Sequence, residues 1–402
     1  MTHNLPPPSG NEIFKTFFQL GLTSFGGPVA HIGYFRTAFV QEKRWLDDRA
    51  YSDLVAFAQF MPGPASSQVG MAIGYRFAGV WGALLAFAGF TAPSALIMIA
   101  AAYGIQFLDQ AFGASLVHGL KLAAVAVVAH AVCSMARSLC PDLKRAGIAI
   151  AVAAFVLAVP MALAQLAVVA AGAMLGHFML QNLVTAPTST APRVRKNHRH
   201  LWLVLGLFTG ILLIAPLLAW LTDSGALQLF AGFYRTGSLV FGGGHVILPL
   251  LEEVTVTPGW VTTDQFLTGY GVAQAIPGPL FTFSAYLGAL ADGPPNGIAG
   301  ALIALCAIFL PAFLLVVGGL PLWEQMRTQR GLQAALLGVN AAVVGLLLAA
   351  LYNPVWTGAV LTPLDAAAAI AGAAGLILFK INPLKIVAGL ALIGLGLGYW
   401  SA

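Results

Sequence analysis

The chain has 402 residues, of which 59% are hydrophobic and only 8% charged, against about 25% charged in an average soluble domain. That composition excludes a soluble domain, and a net charge of +5 reports membrane orientation more than an acidic partner such as nucleic acid. The apolar runs do not alternate in polarity, which excludes a transmembrane β-barrel and leaves an all-α polytopic membrane protein.

The opening MTHNLPPPSGNEIFK has no basic stretch and no small-residue cleavage site, so no removed signal peptide is expected. Phe14 to Phe39 is apolar but broken at Phe25-Gly26-Gly27-Pro28. A basic loop follows, with Arg36, Lys43, Arg44 and Arg49, and a second basic point stands at Arg76. Both read as cytoplasmic, so the chain between them must enter the membrane and return. Tyr51 to Phe77 is 27 residues, about 40 Å of helix, too short for two crossings of a ~30 Å core. The sequence therefore predicts a re-entrant pair of short helices with Pro62-Gly63-Pro64 at its tip. Full crossings are expected near 80–105, 116–136, 146–160 and 161–180. Cys133, Cys140 and Cys306 match no disulfide or zinc spacing and read as small membrane-helix residues. His130 and His177 read as helix-packing residues, and Lys144, Arg145, Lys380 and Lys385 as topology anchors. A basic run, Arg193 to His200, precedes a further crossing at 201–221. Then LQLFAGFYRTGSLVFGGG brings Arg235 close to Gly242, AQAIPGP repeats the first tip, and crossings follow near 297–322, 331–352, 362–379 and 384–400.

The order of these motifs is duplicated. Gln59 pairs with Gln274 and Trp45 with Trp260, both 215 positions apart. The Phe-Gly-Gly stretches lie 216 apart, and Pro93 pairs with Pro311 at 218. Residues 1–180 and 225–402 read as two copies of one fold, with 181–224 as a basic cytoplasmic linker plus one connecting helix. A single extra crossing inverts the second copy if each copy crosses an even number of times. The basic residues agree. Glu252 to Asp264, the counterpart of the Arg36–Arg49 loop, carries none, whereas Arg327 and Arg330 stand where the first copy has the uncharged-to-acidic QFLDQAFGAS.

Breaks at membrane depth leave backbone groups that lipid cannot satisfy, so they survive only when buried in protein or lining a wet cavity. Helix N-termini at such breaks favour anions. The candidate substrate-binding residues are therefore Gly26, Gly27, Gln59, Gly63, Ser66 and Ser67 in the first copy. In the second they are Arg235, Gly242, Gly243, Gly244, His245, Gln274, Gly278 and Thr282. His31, Arg76, Lys121 and Glu252 are candidates for gating or coupling. Packing glycines, proline kinks and snorkelling arginines are the alternative reading of the same residues. The acids sit in loops or at helix ends, and no Walker motif, zinc spacing or nucleophile elbow is present. No cofactor, metal site or catalytic group is expected.

SFGGPVAHIGYF (24 to 35), the segment from Glu42 to Ala83, VFGGGHVILPLL (240 to 251) and AQAIPGPLFTFSAYLG (273 to 288) together resemble the chromate ion transporter family in its long, two-domain form. The second copy departs from the first in placing Gly244 where Pro28 stands. The resemblance implies a multi-pass protein of the bacterial inner membrane that expels chromate and confers resistance to it, with sulfate as mimic or competitor. Chromate export by alternating access, driven by the membrane potential and open to proton exchange, is the leading expectation. A carrier for sulfate or another oxyanion, an anion channel, and a membrane enzyme acting on a phosphorylated lipid are the alternatives. The bilayer is the expected partner, nucleic acid is not, and a homodimer is compatible with the sequence.

Overall fold

The computed structural model describes residues 8–25, 27–104, 110–159, 162–184, 198–241, 247–293, 295–320, 323 and 329–401. Among these the chain is helical throughout, without strands. The first copy comprises α1 (Gly10–Thr23), α2 (Gly27–Arg36), α3 (Asp48–Phe60), α4 (Ala65–Gly104), α5 (Gln110–Leu139), α6 (Leu143–Ala158) and α7 (Ala162–Met179). The connecting helix is α8 (His198–Thr222). The second copy comprises α9 (Gly225–Leu239), α10 (Ile247–Thr255), α11 (Thr263–Ala275), α12 (Phe283–Leu290), α13 (Gly297–Gly319), α14 (Arg330–Ala350), α15 (Pro363–Ile377) and α16 (Pro383–Ser401).

Local chemistry sets the starts. Asp47 caps α3 by accepting from the Ala50 N–H at 2.7 Å, and Asp142 caps α6 by accepting from Arg145 N–H at 3.0 Å. α11 and α15 open with reciprocal capping boxes, Thr262 with Gln265 and Thr362 with Asp365. The expected re-entrant pair is present: α3 runs to the tip, and α4 leaves it. α4 is two helices in one, broken at Gly79 (φ 58°, ψ −144°), so the segment after the tip is short and the crossing begins near residue 80. In the second copy the same break is complete, separating α12 from α13.

Among the described residues, five helical stretches are long and apolar enough to cross a membrane: 65–104, 114–139, 202–222, 297–319 and 330–359. The other four expected crossings fall on α6, α7, α15 and α16, whose 15 to 19 residues give roughly 22–28 Å, a little under a ~30 Å core.

Equivalent glycines make equivalent contacts in the two copies. Gly21 of α1 lies against the Phe90 carbonyl of α4, and Gly237 of α9 against the Ile308 carbonyl of α13. Gly74 and Gly82 touch backbone to backbone, as do Gly288 and Gly300. At these crossings a Cβ would overlap the opposing main chain, the small-residue packing expected of helices in lipid.

The copies are also interlocked. α5 leaves its own copy and packs along α15 and α16 of the second, while α14 packs along α6 and α7 of the first. Gly119 on α5 meets Gly394 on α16, and Gly338 on α14 meets Gly176 on α7. The two contacts are the same contact seen from either copy, which is the signature of an internal two-fold relation between inverted repeats. Phe87 of α4 and Phe309 of α13 meet between the copies with ring centroids 5.0 Å apart and planes tilted by 58°.

Candidate functional site

The two Pro-Gly-Pro tips meet the two Phe-Gly-Gly breaks crosswise. Prolines 62 and 64 have no N–H, so Gly63 supplies the only amide of its tip. With φ at +123°, a conformation that favours glycine, it donates to the Val240 carbonyl of the second copy at 2.7 Å. Gly278, at φ +92°, donates to the Ser24 carbonyl of the first copy at 2.9 Å. A Cβ on Gly63 would sit 3.0 Å from Ala312, and one on Gly278 would sit 2.6 Å from the Ser94 hydroxyl. Ala312 and Ser94 each follow the proline of their long helix, so the tips occupy equivalent seats. These two amides, expected to be free at the breaks, are taken by carbonyls of the opposite copy.

His31 braces the first break. Its Nε2 lies 3.1 Å from the Ser24 carbonyl and its Nδ1 3.2 Å from Ser66 Oγ. A carbonyl can only accept, so Nε2 carries the proton and Ser66 donates to Nδ1 in the neutral ring. Around this junction Ser24 Oγ, Ser67 Oγ, Gln68 Oε1 and Thr91 Oγ1 are buried without a hydrogen-bond partner among the described residues, as are Ser284 Oγ and Gln274 Nε2 in the second copy. Unpaired buried polar atoms are costly.

Beside the first tip a cavity of about 740 Å³ opens. Its polar lining is Gln59 of α3, Ser138 of α5, and Gln333 and Asn340 of α14, with Pro28 and Gly63 bringing both broken segments to the wall. Gln59 and Ala56 are exposed to it. The corresponding place in the second copy is shut. There α11 packs on α5, and Gly271, the counterpart of Ala56, is so close that a Cβ would come within 2.7 Å of the Leu120 carbonyl. Gln274, the counterpart of Gln59, has its amide nitrogen sealed in. Lys121 on α5 reaches α11 to pair with Asp264 at 2.8 Å. Since Gly119 corresponds to Gly338, Lys121 corresponds to Asn340: a latch on the shut side stands where a neutral amide faces the open one. α3 makes no comparable packing on α14.

The model of the chromate transporter family matches residues 11–177 and again residues 227–395. The chain belongs to the chromate transporter family. It is 30% identical over 362 residues to a chromate transport protein of Pseudomonas aeruginosa, covering 86% of this chain and 81% of the relative. It is 28% identical over 397 residues to a chromate transport protein of Cupriavidus metallidurans, covering 98% and 94%. An uncharacterized transporter of Methanocaldococcus jannaschii is 25% identical over 346 residues, covering 85% and 83%. No solved structure matches the chain. Membership places a multi-pass membrane protein in a role in chromate transport.

The remaining candidates fall as follows. Gly26, Gly242, Gly243, Gly244 and His245 lie outside the described residues. Gly27, at φ +77°, opens α2. Ser66 is engaged with His31, and Thr282 turns its hydroxyl to the Pro279 carbonyl at 2.9 Å. Arg235 pairs with Glu253 at 2.9 Å and is not among the cavity's lining residues. Glu252 stands beside that pair, and burial followed by its neighbour Glu253 pushes its carboxyl up to about 7. Arg76 lines a separate cavity with Arg49 and Trp323. Ser138, Gln333 and Asn340 were not among the sequence candidates. Gln333 and Asn340 are the two amides of the otherwise apolar stretch GLQAALLGVNAAVVG, and that polarity was their one visible signal. A half-buried pair, His118 Nε2 with Asp365 Oδ1 at 2.7 Å, ties α5 to the capping box of α15. Its spacing of 247 positions gives no sequence signal.

Proposed function

We propose that the chain exports chromate across the bacterial inner membrane by alternating access, with the cavity beside the first tip as the substrate seat. The observation that carries this reading is the unequal state of two equivalent places: Gln59 faces an open cavity, while α11 packs on α5 and the amide nitrogen of its Gln274 is buried. Residues 1–180 and 225–402 act as the two halves of the machine, with 181–224 joining them, and the chain works as a transporter rather than an enzyme.

Neutral amides and a hydroxyl suit a tetrahedral dianion that must be released again, because they hold it without the deep well that a fixed counter-charge would create. The same groups do not separate chromate from sulfate, so sulfate is a second substrate or a competitor. A dianion leaving an inside-negative cell gains about 4.6 kcal/mol per 100 mV, equivalent to roughly three orders of magnitude of gradient. The potential alone suffices for export, with proton exchange as an added drive. Association as a homodimer is compatible with the lipid-facing apolar side chains of α8, such as Trp202 and Trp220.

Flux into inverted vesicles tests the reading. Under an inside-positive potential the vesicles should accumulate labelled chromate, with saturation and with inhibition by sulfate. Accumulation of neither anion overturns it.

A further inference from the structure

A second cavity, of about 540 Å³, opens beside the first turn of α3. Its wall brings together Asp47, Arg49, Asp53, Tyr75, Arg76 and Trp323. Neither Arg49 nor Arg76 forms an ion pair among the described residues. Trp323 is only 8% exposed and is wedged against Phe57 and Phe60, with ring centroids 5.8 and 5.2 Å away. Its indole Nε1–H is buried without an acceptor among the described residues. Indole is a donor only, and a buried donor left unpaired costs stability unless something arrives to accept from it.

The donors of the wall favour a ligand rich in acceptors. Two exposed guanidinium groups without an ion pair and one buried indole N–H can all donate to it. The two acids of the wall offset the guanidinium charges, but their oxygens are already in use: Asp47 caps α3 through Ala50, and Asp53 is itself engaged. The first turn of α3 adds its own partial positive charge on the same side. The geometry points to a recruiting site for an oxyanion dianion, at the face where the basic residues Arg36 to Arg49 and Arg76 gather. It rests on the transport reading for the identity of its ligand. α3 links the two places: its start lines this cavity, and its end, about 15 Å further along at 1.5 Å per residue, presents Gln59 to the other. The donors of this vestibule hold the dianion, and the cavity beyond it carries the ion across.

The test uses the full chain in nanodiscs of phosphatidylcholine with labelled sulfate as the probe. Arg49→Gln, Arg76→Gln and Trp323→Phe should each weaken one class of sulfate binding by about tenfold. Each should also raise the KM for vesicle flux by a similar factor while the maximal rate stays within about twofold. Trp323→Phe keeps the ring packing on Phe57 and Phe60 and removes only the N–H, and Arg76→Lys should restore part of the affinity. Equal thermal midpoints check that the variants are folded. Sulfate binding and KM unchanged in all three variants overturn the site. Unchanged sulfate binding with lost stabilisation by phosphatidylglycerol assigns the wall to a lipid phosphate and also overturns it. If the unsubstituted protein moves no anion yet Arg76→Gln still weakens sulfate binding, the transport reading fails and the site stands.

Discussion

The Gly63 amide donates to the Val240 carbonyl at 2.7 Å, reaching from the tip of one repeat into the break of the other. Its mirror, Gly278 to Ser24, closes the exchange. Each interruption of a membrane helix is thus satisfied by the interruption of its twin, which is how irregular backbone persists where lipid offers no hydrogen bonds. The four broken segments form one unit, and the cavity at Gln59 lies on its rim.

Gly63→Ala and Gly278→Ala should each destabilise the protein by about 2–4 kcal/mol, from the positive φ and from overlap with Ala312 or Ser94. Thermal unfolding in detergent measures this. Adding Ser94→Ala should recover part of the loss for Gly278→Ala and none for Gly63→Ala. Equal behaviour of both would show that the crosswise seats are not as described.

The proposed alternating access predicts a defined geometry. In the opposite conformation Ala56 should reach the surface of α14 near Val339, as Gly271 now reaches Leu120. Cysteines placed at 56 and 339, in a background lacking Cys133, Cys140 and Cys306, should cross-link during turnover and stop flux, and reduction should restore it. Absence of a cross-link under every substrate gradient would count against α3 as the moving element.

Asn340→Asp places a negative charge in the cavity wall opposite Gln59. Flux of chromate and sulfate should fall at least tenfold, about 1.4 kcal/mol or more, since like charges repel strongly at low dielectric. Asn340→Ser, which keeps a small polar group, should cost less. Transport by Asn340→Asp at the unsubstituted rate would move the substrate seat elsewhere.

Much of this arrangement was legible in the sequence because it depends on backbone chemistry. Glycine and proline announce where helices stop, and their duplication at offsets of 215 to 218 announces two copies. The crossing at residue 80 was set by length alone. The crosswise hydrogen bonds were not legible, because a main-chain donor and acceptor leave no trace in side-chain type. The exchange of α5 and α14 between copies was hidden for a related reason: Gly119 and Gly338 look like packing glycines wherever they pack. Arg235 looked like an intramembrane charge aimed at a break, and the sequence could not show that Glu253, eighteen positions on, stands across from it. Asn340 and Trp323 acquire meaning only from what surrounds them.

Glu252, at the end of α10 and outside the crossing helices, gives a pH signature. Its carboxyl is raised from 4.5 to about 7 by burial first and by Glu253 second. The folded chain therefore holds this proton more tightly than the unfolded chain, so stability falls as pH rises through that interval. The thermal midpoint should decline between about pH 5 and about pH 8, by roughly 1–3 kcal/mol in stability. Glu252→Gln should flatten the decline. If protons exchange for the dianion through this group, the same substitution removes the pH dependence of flux. A flux profile that Glu252→Gln leaves unaltered assigns the coupling, if any, to another residue.

The trading of α5 for α14 between the halves has a consequence for how the protein is made. When the ribosome has finished the first half, α5 has no docking hairpin, and the hairpin of α6 and α7 has no occupant, until the chain beyond residue 330 has been inserted. Biogenesis must hold these surfaces apart from other nascent chains over the whole interval. Assembly then finishes in one late event, when α14 through α16 slot into both vacancies at once.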